Sequence, residues 1–171
     1  MKRTVWLWEL FGFAVTSLLG TVLHFLYDWL GEAAWIAPFT GVNESTWEHM
    51  KLLFWPMLVF GLVQGFFFKD YPHFPCVNLK GILLGLTLIP ILFYTYNGVI
   101  GKSPDWLNIS IFFISAAAAY IYETHALNKD PKSPCNGRSA TAALFVIALL
   151  FVIFTFYPPS LGIFADPLTA A

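Results

Sequence analysis

The chain has 171 residues, of which 58% are hydrophobic and only 11% are charged. Soluble domains carry about 45–50% apolar and about 25% charged residues. Ten acids and nine bases are therefore too few to cover a soluble surface. A net charge of −1 with no basic run also excludes a nucleic-acid-binding protein. The composition predicts a multi-pass membrane protein.

Five apolar segments are long enough to span a bilayer, since a spanning helix needs about 20 residues. They are predicted at about residues 5–29, 46–68, 79–98, 106–125 and 139–157. The first is too long for the core of a signal peptide, so it is expected to be retained. The predicted fold class is all-α, an integral membrane bundle of about five transmembrane helices in a single domain, residues 1–171.

The positive-inside rule gives an orientation for these spans. With a cytoplasmic N-terminus, the outer loops hold only Lys51 and Lys102, and the inner side holds Lys2, Arg3, Lys69, Lys80, Lys129, Lys132 and Arg138. The apolar tail after Pro159 is then expected to cap the outer face. Cys76 and Cys135 fall on the reducing inner side, where we expect free thiols.

Ionisable residues collect near the outer ends of the first two spans. His24 and Asp28 are four residues apart and share a helix face, and the second span opens with the run Asn43-Glu44-Ser45-Thr46-Trp47-Glu48-His49. Imidazoles and carboxylates are ligands for zinc, iron or manganese. The sequence therefore predicts a divalent metal site, or a proton relay, formed by His24, Asp28, Glu44, Glu48 and His49.

The function predicted first is that of a binding or transport protein, in which this outward-facing group holds a cation, a proton or a small polar ligand. Tyr94 and Asn97 share a face at the same level of the third span and are expected to contact that ligand. The expected partners are the lipid bilayer and either another membrane subunit or a second copy of the chain. No nucleic acid is expected.

Two other interpretations use the same residues. In the first, a metal-dependent hydrolase acts on a lipid-like substrate, with Glu44 or Glu48 as general base and Ser45 orienting the substrate. In the second, the protein is a structural accessory subunit without a site. Ser45-x-x-Glu48 is then a helix capping box, and Glu48 forms an ion pair with Lys51.

Other features of the spans are expected to be structural. Small-residue pairs favour close helix packing and are assigned no chemistry: Gly61-xxx-Gly65 and Gly81-xxx-Gly85. Glu9 is expected at the interface or paired with Lys80 or Arg138. Polar side chains at the end of the fourth span are expected to extend to the inner interface: Tyr120, Glu123 and His125.

The run from Asn43 to His49 resembles the signature of a family of short bacterial multi-pass membrane proteins of unknown function. The segments 24–28 and 154–159 and the dipeptide Asp166-Pro167 extend this resemblance over nearly the whole chain. The resemblance implies a bacterial cytoplasmic membrane and no assigned activity. Ser45-xxx-His49 also resembles the S-x-x-x-H element of the alkaline ceramidase and adiponectin-receptor superfamily of intramembrane zinc hydrolases. The second H-x-x-x-H motif of that superfamily is missing from this sequence.

Overall fold

The computed structural model describes residues 2–101, 104–129 and 134–167. These residues form five long helices and no strand: α1 (Lys2–Trp29), α2 (Thr46–Phe67), α3 (Phe74–Ile100), α4 (Asp105–Leu127) and α5 (Gly137–Phe156). All five are long and apolar enough to cross a membrane. The all-α prediction is thus confirmed for the described residues. Helix α3 begins earlier than expected because Pro75 is well suited to the first turn of a helix, where its missing N–H needs no partner.

Successive helices run antiparallel, so the bundle has two ends. We call the end that holds the C-terminus of α1 and the N-terminus of α2 the upper end, and the opposite end the lower end. Helix α1 packs against α2 and α4, and α3 packs against α2, α4 and α5. The upper end also carries the loop of residues 30–45, which includes a short 3-10 turn at Ala37–Phe39.

The exterior of the bundle is apolar along its helices. Large exposed side chains include Leu18 on α1 and Phe66 on α2. Helix α5 presents a group of such residues: Phe145, Val146 and Leu149. A soluble protein rarely exposes so continuous an apolar surface. This surface suits contact with lipid acyl chains.

The described part of the C-terminal tail folds back over the upper end. Its 3-10 turn, Gly162–Phe164, packs against α2. The ring centroid of Phe164 lies 4.7 Å from that of Trp47 in the first turn of α2. The expected cap therefore forms at the upper end of the bundle.

The expectation of free thiols is wrong, because Cys76 and Cys135 form a disulfide at the lower end. The early start of α3 places Cys76 in its first turn, and Cys135 lies just before α5, which packs against α3. The two Cα atoms are 6.0 Å apart, a normal spacing for a disulfide. Sequence spacing could not reveal this pairing, because the two residues are 59 positions apart.

The interface positions expected for Glu9, Tyr120 and Glu123 are also wrong, because all three side chains are buried in the lower half of the bundle. Each lies on a helix face that packs against neighbouring helices, so the side chain cannot extend to the membrane surface. His125 is exposed, as expected.

Two glycines make room for buried polar side chains. A Cβ atom on Gly61 of α2 would lie 2.6 Å from Asn78 Oδ1, and one on Gly81 of α3 would overlap Glu123 Oε1. A larger residue at either position would therefore displace its polar neighbour. One glycine of each small-residue pair thus leaves space for a polar side chain, in addition to allowing close helix packing.

Candidate metal centre

Three side chains meet at the upper end, and we call them the His–Glu cluster: His24, Glu44 and His49. His24 lies near the end of α1, His49 lies in the first turns of α2, and Glu44 lies in the loop between these helices. Glu44 Oε1 is 3.7 Å from His24 Nε2, and Glu44 Oε2 is 3.5 Å from His49 Nε2. One ligand atom from each residue fits within a span of 4.8 Å.

The imidazole of His49 is oriented by its own helix. Its Nδ1 lies 3.0 Å from the carbonyl oxygen of Ser45. A carbonyl oxygen only accepts hydrogen bonds, so Nδ1 carries the proton in this contact. In the neutral ring, Nε2 then presents a lone pair toward Glu44. Metal-binding histidines are commonly oriented in this way by a backbone carbonyl.

The position of Glu44 is fixed by hydrogen bonds that the residues before and after it in the chain make. The Asn43 side chain accepts a hydrogen bond from Ser45 N at 2.9 Å, and Ser45 Oγ caps α2 by accepting from Glu48 N at 3.4 Å. Upstream, Gly41 N donates to Leu23 O at 3.4 Å, which attaches the loop to α1 beside His24. The loop thus brings the Glu44 carboxylate between the two imidazoles.

Glu48 has a different partner. Its Oε2 lies 2.6 Å from Lys51 Nζ and accepts a hydrogen bond from Val42 N at 2.9 Å. The Lys51 ammonium also donates to Ala37 O and to Thr155 Oγ1, both at 2.9 Å. This buried ion pair joins the loop to α2 and α5. The expected Ser45 cap and the Glu48–Lys51 pair therefore both form, while the Glu48 carboxylate is directed to Val42 and Lys51.

The other predicted site residues lie elsewhere at the upper end. Asp28 is exposed and is not part of the group of ligand atoms. Tyr94 Oη accepts a hydrogen bond from Thr46 Oγ1 at 3.4 Å, and Asn97 Nδ2 donates to Phe93 O at 2.9 Å. Neither Tyr94 nor Asn97 lines the cleft that opens beside the cluster.

A cleft of about 150 Å³ opens beside the cluster, between α1, α2 and α4. His24 and His49 line its polar end, and Leu52, Ile109 and Phe112 contribute to its apolar walls. This cleft could not be predicted from the sequence, because apolar residues of α4 have the same pattern whether they face lipid or a cavity. An apolar molecule entering the cleft would lie next to the two imidazoles.

The described residues thus define an all-helical bundle of membrane-spanning length with a potential metal-binding cluster at its upper end. The chain belongs to DUF6512, a family of unknown function, whose model matches residues 2–171. No curated protein and no solved structure matches it. The predicted membership of an uncharacterised family is confirmed, and a bacterial origin stays a prediction.

Proposed function

We propose that this is an integral protein of the bacterial cytoplasmic membrane that binds a divalent transition-metal ion, zinc in the first instance, at the His–Glu cluster. The observation that carries the proposal is the convergence of two imidazole Nε2 atoms on one carboxylate, Glu44.

The arrangement suits a positive charge between its members. When His49 carries a single ring proton on Nδ1, its Nε2 lone pair faces a carboxylate oxygen at 3.5 Å, and both atoms are hydrogen-bond acceptors. A metal ion or an added proton removes this repulsion. With metal–ligand distances of about 2.0–2.1 Å, tetrahedral ligand atoms lie about 3.4 Å apart. The two Nε2 atoms lie 3.7 and 3.5 Å from different oxygens of the carboxylate, and one ligand atom from each residue fits within 4.8 Å, so a small closing movement would bring three ligand atoms to that spacing.

The donor set favours a transition metal over magnesium or calcium. Two imidazoles and one carboxylate are typical ligands of zinc and of non-haem iron, whereas the hard cations prefer oxygen ligands. The side chains of His24, His49 and Glu44 are 30%, 22% and 41% exposed, so an ion can reach them from water. Three protein ligands also leave a coordination position open for a further ligand.

Metal content tests this proposal. Protein purified in detergent is loaded with zinc, dialysed and measured by elemental mass spectrometry. We expect about one equivalent of zinc in the wild type and its loss in a His24→Ala, His49→Ala double variant. His125→Ala is the matched control, because its Nδ1 also contacts a carbonyl one turn back, at 2.7 Å, far from Glu44. Zinc retained by the double variant, or no zinc in the wild type, would overturn the proposal.

The apolar cleft favours a second candidate function, hydrolysis of a lipid-like substrate. Bound zinc would supply Lewis-acid chemistry next to a chain seated between Leu52 and Phe112. Of the two predicted bases, Glu48 is engaged by Lys51, so Glu44 would be the base in this candidate and the two imidazoles would hold the metal without it. Release of fatty acid from reconstituted vesicles, abolished by chelation and by His49→Ala, tests this candidate. Zinc binding without any lipid product would restrict the protein to binding or transport.

A further inference from the structure

Two carboxyl groups meet inside the lower half of the bundle. Glu9 of α1 and Glu123 of α4 interact with each other, and their exposed fractions are 1% and 0%. Gln64 Nε2 donates to Glu9 Oε1 at 2.6 Å, and Asn78 Nδ2 lies 3.4 Å from Glu123 Oε1. One oxygen of each carboxyl group is therefore hydrogen-bonded to a side-chain amide.

The other oxygen of each group lacks a hydrogen-bond donor. Among the described residues, no donor reaches Glu9 Oε2, Glu123 Oε2 or Gln64 Oε1. Neither carboxyl group forms an ion pair with a described Lys, Arg or His. If both were ionised, two negative charges would lie together in an apolar interior, where desolvation and mutual repulsion both oppose ionisation.

A single proton resolves both problems. Protonation of one carboxyl removes one of the charges and converts an acceptor oxygen into an O–H donor, which then bonds to the other group. We infer that Glu9 and Glu123 share a proton and form a proton-binding site, separate from the His–Glu cluster and independent of metal binding. Ionisable groups buried in membrane spans are typical of proton pathways.

The surroundings favour a proton over a metal cation. Hard cations take about six or more oxygen ligands. The free oxygens of Glu9, Glu123 and Gln64, as far as the chain is described, are too few. Asn78 presents an N–H to the pair, and the backbone of α3 at Gly81 lies against the Glu123 carboxyl.

Among the described residues, Tyr120 is a further titratable group near the pair. Tyr120 of α4 is buried, and its hydroxyl is 2.7 Å from Thr16 Oγ1. A phenol and a threonine hydroxyl that are hydrogen-bonded to each other bring no positive charge to the two carboxyl groups. Tyr120 and Thr16 therefore cannot balance two ionised carboxylates, and a proton shared by Glu9 and Glu123 is what removes the second negative charge.

Dicyclohexylcarbodiimide tests this inference, because it adds to a protonated carboxyl group in an apolar environment and gives a stable N-acylurea. Reconstituted protein is treated at several pH values, and the labelled glutamate is located by peptide mass spectrometry. We expect labelling of Glu9 or Glu123 near neutral pH, with a rate that falls about tenfold per pH unit once the pair is mostly ionised. Glu32, an exposed carboxylate at the upper end, is the internal control and should stay unlabelled.

The outcomes separate the alternatives. Loss of labelling in a Glu9→Gln, Glu123→Gln variant, with His24→Ala, His49→Ala unaffected, supports an independent proton site. If the glutamine variant does not fold, the pH dependence of labelling in the wild-type protein is sufficient to test for a protonated carboxyl group. An unlabelled pair at neutral pH would show that both groups are ionised and would overturn the inference. Protection by excess sodium or magnesium would also overturn it, in favour of a metal cation.

Discussion

Glu44 and Glu48 are one helical turn apart in the sequence, but their carboxylates have different partners. Glu44 faces the imidazoles of His24 and His49, whereas Glu48 is bound to Lys51. The Glu44 side chain is 41% exposed and that of Glu48 is 4% exposed. One acid is therefore accessible to a ligand, and the other is a buried structural group.

Glu44→Gln is expected to weaken zinc binding without loss of the fold. The amide removes the negative charge between the imidazoles, and an exposed position tolerates the change. Because loss of even an outer-shell partner costs about 10–100-fold in metal affinity, we expect at least that effect here. Isothermal calorimetry measures the affinity. An unchanged affinity would remove Glu44 from the site.

Lys51→Met is expected to destabilise the protein by about 3–5 kcal/mol, because it leaves the Glu48 carboxylate buried without its partner. A Glu48→Leu, Lys51→Met double variant should recover much of that stability, since it removes both buried charges. Thermal unfolding in detergent measures both effects. Lys80→Met, at an exposed position on α3, is the control. Equal stability of Lys51→Met and the control would contradict the structural role.

Ser45→Ala is expected to lower stability by about 1 kcal/mol and to leave the zinc content unchanged. The hydroxyl is buried and caps α2, so a role in orienting substrate is not expected of it. Ser45→Asn, which retains a capping oxygen, should restore most of the stability. Loss of zinc in the alanine variant at unchanged thermal stability would argue against this assignment.

Gly81→Ala is expected to destabilise the protein by about 1–3 kcal/mol, because the new methyl group overlaps the Glu123 carboxyl. Gly98→Ala is the matched substitution on the same helix. Beyond the adjacent residues and the backbone of its own helix turn, no described atom lies within 4 Å of a Cβ at that position, and alanine is favoured over glycine in helices by up to about 1 kcal/mol. Unfolding midpoints should therefore move in opposite directions. A stable Gly81→Ala protein would show that α3 and α4 can separate.

The disulfide and the charge distribution imply different redox environments for the lower end of the bundle. The positive-inside rule predicts a cytoplasmic lower end, where thiols are kept reduced. Because Cys76 and Cys135 are joined in the structure, we expect the pair to resist a membrane-permeant alkylating reagent in intact cells and to react only after reduction. Alkylation without a reductant would instead support the cytoplasmic lower end that the charge distribution predicts.

The helices could be predicted from the sequence because each one is a long apolar segment. The meeting of His24, Glu44 and His49 could also be predicted, because polar residues near the ends of two consecutive spans must lie at the same membrane level. The full environment of Glu48 could not be predicted from the sequence. Its contact with Val42 and the contact of Lys51 with the carbonyl of Ala37 depend on the path of the loop between α1 and α2.

The buried carboxyl pair could not be predicted for a different reason. Glu9 and Glu123 lie near the ends of their spans, where a charged side chain normally extends to the interface. Their burial depends on contacts between helices, with Gln64 and Asn78 as partners from α2 and α3. Periodicity within one helix does not reveal such partners.

The fit between Gly81 and Glu123 also has a consequence for the history of the family. A larger residue at position 81 is incompatible with a glutamate at position 123 in this geometry. The two positions are therefore expected to change together among relatives: where 81 gains a side chain, 123 should be shorter. Such paired replacement would record, across many sequences, how closely α3 and α4 approach each other.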